Sequence, residues 1–303
     1  MVEYNGNNCH SGRKRKARIP GSTPFLTAAA LVLAGLLILM LPRHAAAEAP
    51  RPVRWCALGD SITEGWYSMR NPDGSVSVSV ADRENIGWAF LVAEANGWSL
   101  TNLAAANEGY LNPAYNESGD PGYVRARAAD FTPYDLVTVS LGINDWISGC
   151  PMGSMEDDPS AETITAFIPA MRATLEAIAR SNPLCRIIVI LPLNVKGFNR
   201  TFGAEETNWA YGYEMESSGT LRQFTDTMKE ICGLYGIEYI DLTSASCVNS
   251  VNLPVLLPDG VHPSAEAHRL LARELTAKIQ CLLDNSRSRL YNENSIRERS
   301  IAV

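Results

Sequence analysis

Apolar positions along this chain follow two rhythms. Residues 53–58 (VRWCAL), 136–141 (LVTVSL) and 186–191 (RIIVIL) are short, nearly continuous apolar runs. Runs of this length bounded by turn residues predict strands covered on both faces. Residues 99–103 and 238–241 add two weaker strand candidates. Between them, apolar residues recur at helical spacing over 88–95, 162–181, 218–235 and 264–283, the last with Ser264 as its N-cap. A different pattern, the strict alternation SVSVSV at 75–80 after the turn signal Asn71-Pro72-Asp73-Gly74, predicts a surface hairpin. Strands alternating with helices predict an α/β fold, a parallel sheet with helices on both faces. Ligands of such sheets bind at the carboxyl ends of the strands.

Composition adds an address. A basic cluster (Arg13, Lys14, Arg15, Lys16, Arg18) precedes an apolar run at 25–41; Pro42 ends it, and Ala45-Ala46-Ala47 stands before Glu48. That order reads as an export signal, with cleavage favoured over retention as an anchor. The expected organisation is therefore residues 1–47 as signal peptide or membrane anchor, 48–283 as the folded domain, and 284–303 as a polar tail, disordered for want of a periodic apolar face. The 303 residues carry a net charge of −7. The exported segment holds six basic residues and one acid, so the body is more acidic than the whole. An acidic body repels phosphate backbones and excludes nucleic acid as a partner. Contact with a membrane is expected only through the N-terminal segment.

Cys9 lies in the basic region, and Cys56, Cys150, Cys185, Cys232, Cys247 and Cys281 follow. Six cysteines in an exported body permit disulfides, in about 15 connectivities. Cys56, inside an apolar run, reads equally well as a buried small hydrophobe. No CxxC pair supports a zinc or redox motif.

Few residues are candidates for chemistry. His10 and His44 fall in the export segment, which leaves His262 and His268 for any histidine base. His262 sits in the turn-rich stretch PDGVHPS at 258–264; His268 falls within the last helix and reads as a surface residue. Asp259, three residues before His262, can bring its carboxylate to the near ring nitrogen and fix the tautomer. It fits a turn-capping aspartate equally well. Ser61 follows the first strand through Gly59, at a strand-to-helix turn that exposes its hydroxyl beside backbone N–H groups. Gly142-Ile143-Asn144-Asp145 follows the third strand and so reaches the same sheet edge. Asp60 and Asp145 are expected to hold loops rather than to react.

Taken together and in order, Gly59-Asp60-Ser61-Ile62, Gly142-Ile143-Asn144-Asp145 and Asp259-Gly260-Val261-His262-Pro263 resemble the blocks of the GDSL/SGNH hydrolase family, over about residues 53–283. The resemblance implies a flavodoxin-like three-layer α/β/α sandwich with a mainly five-stranded parallel sheet. It implies Ser61 as nucleophile, Asp259 and His262 as the rest of a triad, and the Ser61 N–H and Asn144 side chain as oxyanion donors. The second block departs from the family's N-x-x-x-S-G: here it reads Asn102-Leu103-Ala104-Ala105-Ala106-Asn107-Glu108-Gly109. Ungapped, Asn107 stands in the glycine position; a loop two residues longer brings Gly109 there, and Gly109 is taken as the third donor. The implied reaction is two-step acyl transfer to water, with no metal and no organic cofactor.

The expected substrate is a small-molecule or polysaccharide ester. Trp66, Tyr67 and Trp146 flank the motifs, and Trp209, Tyr211 and Tyr213 lie in a polar, aromatic stretch at 196–217. Aromatic faces suit sugar rings, although they also fill cores. Acetyl esters on carbohydrate are therefore favoured over the longer acyl chains of a lipase or lysophospholipase. An inert glycan-binding protein on the same scaffold is a third reading, supported only by the altered second block.

Overall fold

The computed structural model describes residues 51–114, 119–195, 219–249 and 251–301, with side chains to residue 284. The chain divides into two units, Met1–Arg51 and Pro52–Val303. The expected signal peptide or anchor at 1–47 and the aromatic stretch at 196–217 lie outside the described residues. Among the described residues no helix is long and apolar enough to cross a membrane.

The second unit is built on five parallel strands: β1 (Arg54–Gly59), β4 (Ser99–Asn102), β5 (Leu136–Ser140), β6 (Arg186–Ile190) and β7 (Glu238–Ile240), in the order β4-β1-β5-β6-β7. This is the flavodoxin-like order, with helices flanking the sheet as expected. The central strands are the apolar runs: Trp55 to Leu58 and Leu136 to Val139 are buried. Helices Trp88–Asn96 and Ala265–Ile301 pack together, as do Gly122–Ala128 with Phe167–Ser181, and Phe167–Ser181 with Leu221–Tyr235. Burial of the five strands between such layers supplies the main driving force.

Element boundaries follow local chemistry. The helix expected from residue 162 begins at Phe167. Pro169 lacks an N–H and is tolerated only in a first turn, so an earlier start would put it in the helix interior. The Phe167 and Ile168 N–H groups instead donate to the carbonyls of Pro151 and Met152. Thr220 and Gln223 form a reciprocal capping box that starts the helix Leu221–Tyr235. The last helix passes the expected end at Leu283 and stays helical to Ile301. The expectation of a disordered tail is corrected to that extent. No Gly or Pro interrupts the chain after Ser264, so no stop signal follows the last apolar turn.

The alternating segment forms a two-stranded antiparallel hairpin, β2 (Tyr67–Arg70) with β3 (Val76–Ser79). Its turn is closed by Gly74 N–H donating to Asn71 O, with Gly74 at φ 84°. Cys56, Cys150, Cys185, Cys232 and Cys247 carry free thiols in this structure, Cys56, Cys150 and Cys232 being buried. Burial pushes the Cys56 thiol up to about 12, as expected for a small hydrophobe in a core strand.

The strand order reverses between β1 and β5. One neighbour of β1 is β4, reached through the helix Trp88–Asn96, and the other is β5. The loops leaving β1 and β5 therefore part at the topological switch point, where such sheets form their crevice.

Candidate active site

Gly59 ends β1, and a Cβ there would lie 2.5 Å from Thr63 Oγ1. Only glycine lets the short helix Ser61–Glu64 fold back this closely on the strand end. Asp60 caps that helix, its Oδ1 accepting from Ile62 N at 2.9 Å. Gly65, at φ 104°, closes it, and the Ser61 carbonyl accepts from both Gly65 N and Trp66 N. Ser61 is the first helical residue, so its N–H has no intrahelical partner and points out of the helix start.

The hydroxyl of Ser61 stands 3.0 Å from His262 Nε2. His262 Nδ1 stands 2.6 Å from Asp259 Oδ2. The other oxygen of Asp259 accepts the backbone N–H groups of Val261 at 3.0 Å and His262 at 2.8 Å. One carboxylate therefore both folds the turn and faces the ring: the two roles left open for Asp259 by sequence are compatible. Partial burial raises the carboxyl pKa, but the His262 bond and the two N–H donors outweigh it and hold the group below its ordinary value. An ionised Asp259 accepts a hydrogen bond from Nδ1–H and leaves Nε2 as the acceptor for the Ser61 hydroxyl. Ser61 and His262 are both largely buried, which strengthens these charge-dependent contacts.

Asn144 enters from β5. Gly142 adopts φ 113° and starts the helix Ile143–Ile147. One amide N–H of Asn144 donates to Glu108 O at 3.0 Å. An asparagine amide carries two donors, so the second stays available. Asp145, fully buried, accepts from Tyr110 N, Leu111 N and Asn112 N at 2.8, 2.8 and 3.0 Å. The loop from the second block is thus wrapped around the aspartate of the third, the holding role expected of it. Asp60 is likewise buried, and that burial raises its carboxyl to about 7.

Within the second block the geometry does not suit Gly109 as an oxyanion donor. Its N–H donates to Asn112 O at 2.9 Å, inside the loop. Its missing side chain makes room for Asp145, whose carboxylate fills that space. Asn107 has the features expected of the donor: φ is 65°, and its N–H meets no acceptor among the described residues. Its side chain and carbonyl are tied to Pro113 O and Asn112 Nδ2. The ungapped alignment, with asparagine in the glycine position, is the one the structure favours. Asparagine tolerates this left-handed backbone better than most residues.

His268 is corrected outright. It is wholly buried, with Nδ1 accepting from Trp88 N at 3.2 Å and Nε2 donating to Trp66 O at 2.9 Å. Burial pushes it down to about 4, which keeps it neutral. Read from sequence as a surface residue, it lies instead on the buried face of the last helix, with two backbone partners. Trp146 is also buried, its Nε1 bonded to Gly219 O, so it belongs to the core rather than to a sugar platform. Trp66 is half-buried and stands 6.5 Å from the His262 ring, centroid to centroid. Trp209, Tyr211 and Tyr213 lie outside the described residues. Among the described residues no cluster of His, Cys, Asp or Glu is arranged to hold a metal ion.

The model of the GDSL-like Lipase/Acylhydrolase family matches residues 57–270. No curated protein matches the chain. Solved structures share the fold. A protein from Lactobacillus plantarum is 18% identical, with TM-score 0.57, over 77% of this chain and 99% of that one. A possible lipase from Chitinophaga pinensis is 20% identical, with TM-score 0.52, over 76% and 98%. A carbohydrate acetylesterase from Sinorhizobium meliloti is 18% identical, with TM-score 0.52, over 76% and 99%.

Proposed function

Because this chain belongs to the GDSL-like lipase/acylhydrolase family and is a hydrolase of ester bonds, we propose that it cleaves acyl esters through a Ser61–His262–Asp259 triad, and that its substrates are acetyl esters on carbohydrate. The observation that carries the mechanism is the continuous chain of contacts from Ser61 Oγ through the imidazole to Asp259 Oδ2, at 3.0 and 2.6 Å.

Ser61 is a weak nucleophile until a base removes its proton. His262 Nε2 takes that proton as Oγ attacks the ester carbonyl, and Asp259 stabilises the imidazolium that forms. The negative charge that develops on the carbonyl oxygen is met by the Ser61 N–H, the Asn107 N–H and the free amide N–H of Asn144. His262 then protonates the departing alcohol. Water, deprotonated by the same nitrogen, attacks the acyl-enzyme and releases the acid. Asp60 and Asp145 serve as loop anchors.

Two observations support the carbohydrate reading. The half-buried ring of Trp66 stands 6.5 Å from the His262 ring, and aromatic faces suit sugar rings. The basic cluster and the apolar run at 25–41 read as an export signal, and acylated polysaccharides occur outside the membrane. N-terminal sequencing of exported protein is expected to begin at Glu48; Met1 or Val2 at the start means a retained anchor.

The deciding measurement is hydrolysis of p-nitrophenyl acetate by the full chain and by Ser61→Ala. Loss of the nucleophile should cost on the order of 10⁴ to 10⁶ in rate. Equal activity in both overturns the triad. A preference for long-chain over acetyl esters overturns the substrate assignment alone.

A further inference from the structure

The segment that carries the nucleophile does not leave the site when its helix ends. Gly65 turns the chain, Trp66 N–H returns to the Ser61 carbonyl, and the next residues enter β2. At its second position, Ser68 is fully buried while its neighbours along the hairpin are not. Its hydroxyl donates to His262 O at 2.5 Å, and its backbone N–H donates to Pro263 O at 3.1 Å. Two residues earlier, Trp66 O accepts from His268 Nε2 on the helix that follows the histidine loop.

Residues 61–68 therefore form a clasp around His262. Ser61 meets the ring at Nε2, and Ser68 holds the carbonyl of the same residue. Asp259 fixes the ring and the backbone N–H from the other side. The four polar atoms of His262 are held by three residues: Ser61 at Nε2, Ser68 at the carbonyl, and Asp259 at both Nδ1 and the backbone N–H. The 3.0 Å spacing between Oγ and Nε2 is thus one link in a closed loop of short bonds.

We propose that Ser68, supplied by the hairpin Tyr67–Ser79, is the positioning residue of the catalytic base. The inference rests on the assignment of His262 as base. Without the Ser68 hydroxyl, the buried His262 carbonyl loses its donor. The histidine turn is then free to shift, and displacements near 1 Å cost about 100-fold in rate when a reacting pair must be aligned.

The test compares Ser68→Ala and Ser68→Cys in the full chain, with Ser77→Ala on the same hairpin as control. Cysteine is close in size but a weak donor. For p-nitrophenyl acetate, both Ser68 variants should lose about 100-fold in kcat with KM within about twofold, and Ser77→Ala should match wild type. Proton NMR gives a readout that needs no substrate. The downfield resonance of the His262 Nδ1 proton facing Asp259 should shift or broaden in Ser68→Ala and stay unchanged in Ser77→Ala. An unaltered resonance together with kcat within twofold of wild type in either folded variant overturns the positioning role. If Ser61→Ala is as active as wild type while the resonance still responds to Ser68→Ala, the triad assignment fails and the clasp survives. If one variant does not fold, the other carries the same two readouts.

Discussion

The carboxylate of Asp145 occupies the space that a side chain on Gly109 would need: a Cβ there would lie 2.4 Å from Oδ2 and 2.6 Å from Oδ1. The two residues come from different family blocks and from different strand ends. Their close approach lets one buried carboxylate collect three consecutive N–H groups, Tyr110 to Asn112. Asn107 and Glu108, just before, are held in place by that arrangement.

Gly109→Ala is expected to damage the site without touching a reacting atom. Asp145 cannot retreat without giving up its N–H donors in a buried setting. The overpacking should cost about 1–3 kcal/mol, read as a lower thermal midpoint, with a fall in kcat because the neighbouring donors move. An unchanged midpoint and kcat would show that the loop adapts freely.

The two proposed oxyanion donors of this region differ in kind. Asn144 acts through its side chain, so Asn144→Ala should lower kcat by about 10² to 10³. Asn107 acts through its backbone, and its φ of 65° suits glycine better still. Asn107→Gly should therefore keep kcat within a few-fold of wild type. A large loss in Asn107→Gly would mean that its side-chain bond to Pro113 O matters more than its N–H.

Asp60 and His268 should tilt the pH dependence of stability in opposite directions. Burial raises Asp60 to about 7, above its unfolded value. Its stabilising contribution is full below about pH 4 and is lost as pH rises towards 7. Burial lowers His268 to about 4, below its unfolded value. Its contribution is full above about pH 6.5 and is lost as pH falls towards 4. Thermal midpoints across this window should rise more steeply with pH in Asp60→Asn than in wild type, and less steeply in His268→Gln. Parallel curves for all three proteins would refute both assignments.

Local pattern made most of the frame legible. The apolar runs at 53–58, 136–141 and 186–191 became the three interior strands, because a strand covered on both faces is mostly apolar. The hairpin was legible for the opposite reason, since alternation and an Asp-Gly turn mark a half-exposed ribbon. The short helices at Ser61–Glu64 and Ile143–Ile147 were too brief to show a period, and only Gly59 and Gly142 hinted at the sharp turns. The start of the Phe167 helix was readable in Pro169, a signal that amphipathic spacing overrode.

By itself the sequence determined which residue types were available for chemistry and in what order they stand. Two histidines, His262 and His268, stand outside the N-terminal segment read as an export signal, one of them preceded at the right distance by an aspartate, and three motifs carry a serine, an asparagine and that pair. Only tertiary structure decided which partners they have. The contact of Ser61 with His262 spans 201 positions, and the bond of Ser68 to the same histidine spans 194. The choice of Asn107 over Gly109 turned on which N–H was already spent on Asn112. Hydrogen bonds of that kind depend on distances of a few tenths of an ångström between strand ends. Residue spacing along the chain carries no record of them until the sheet has brought those ends together.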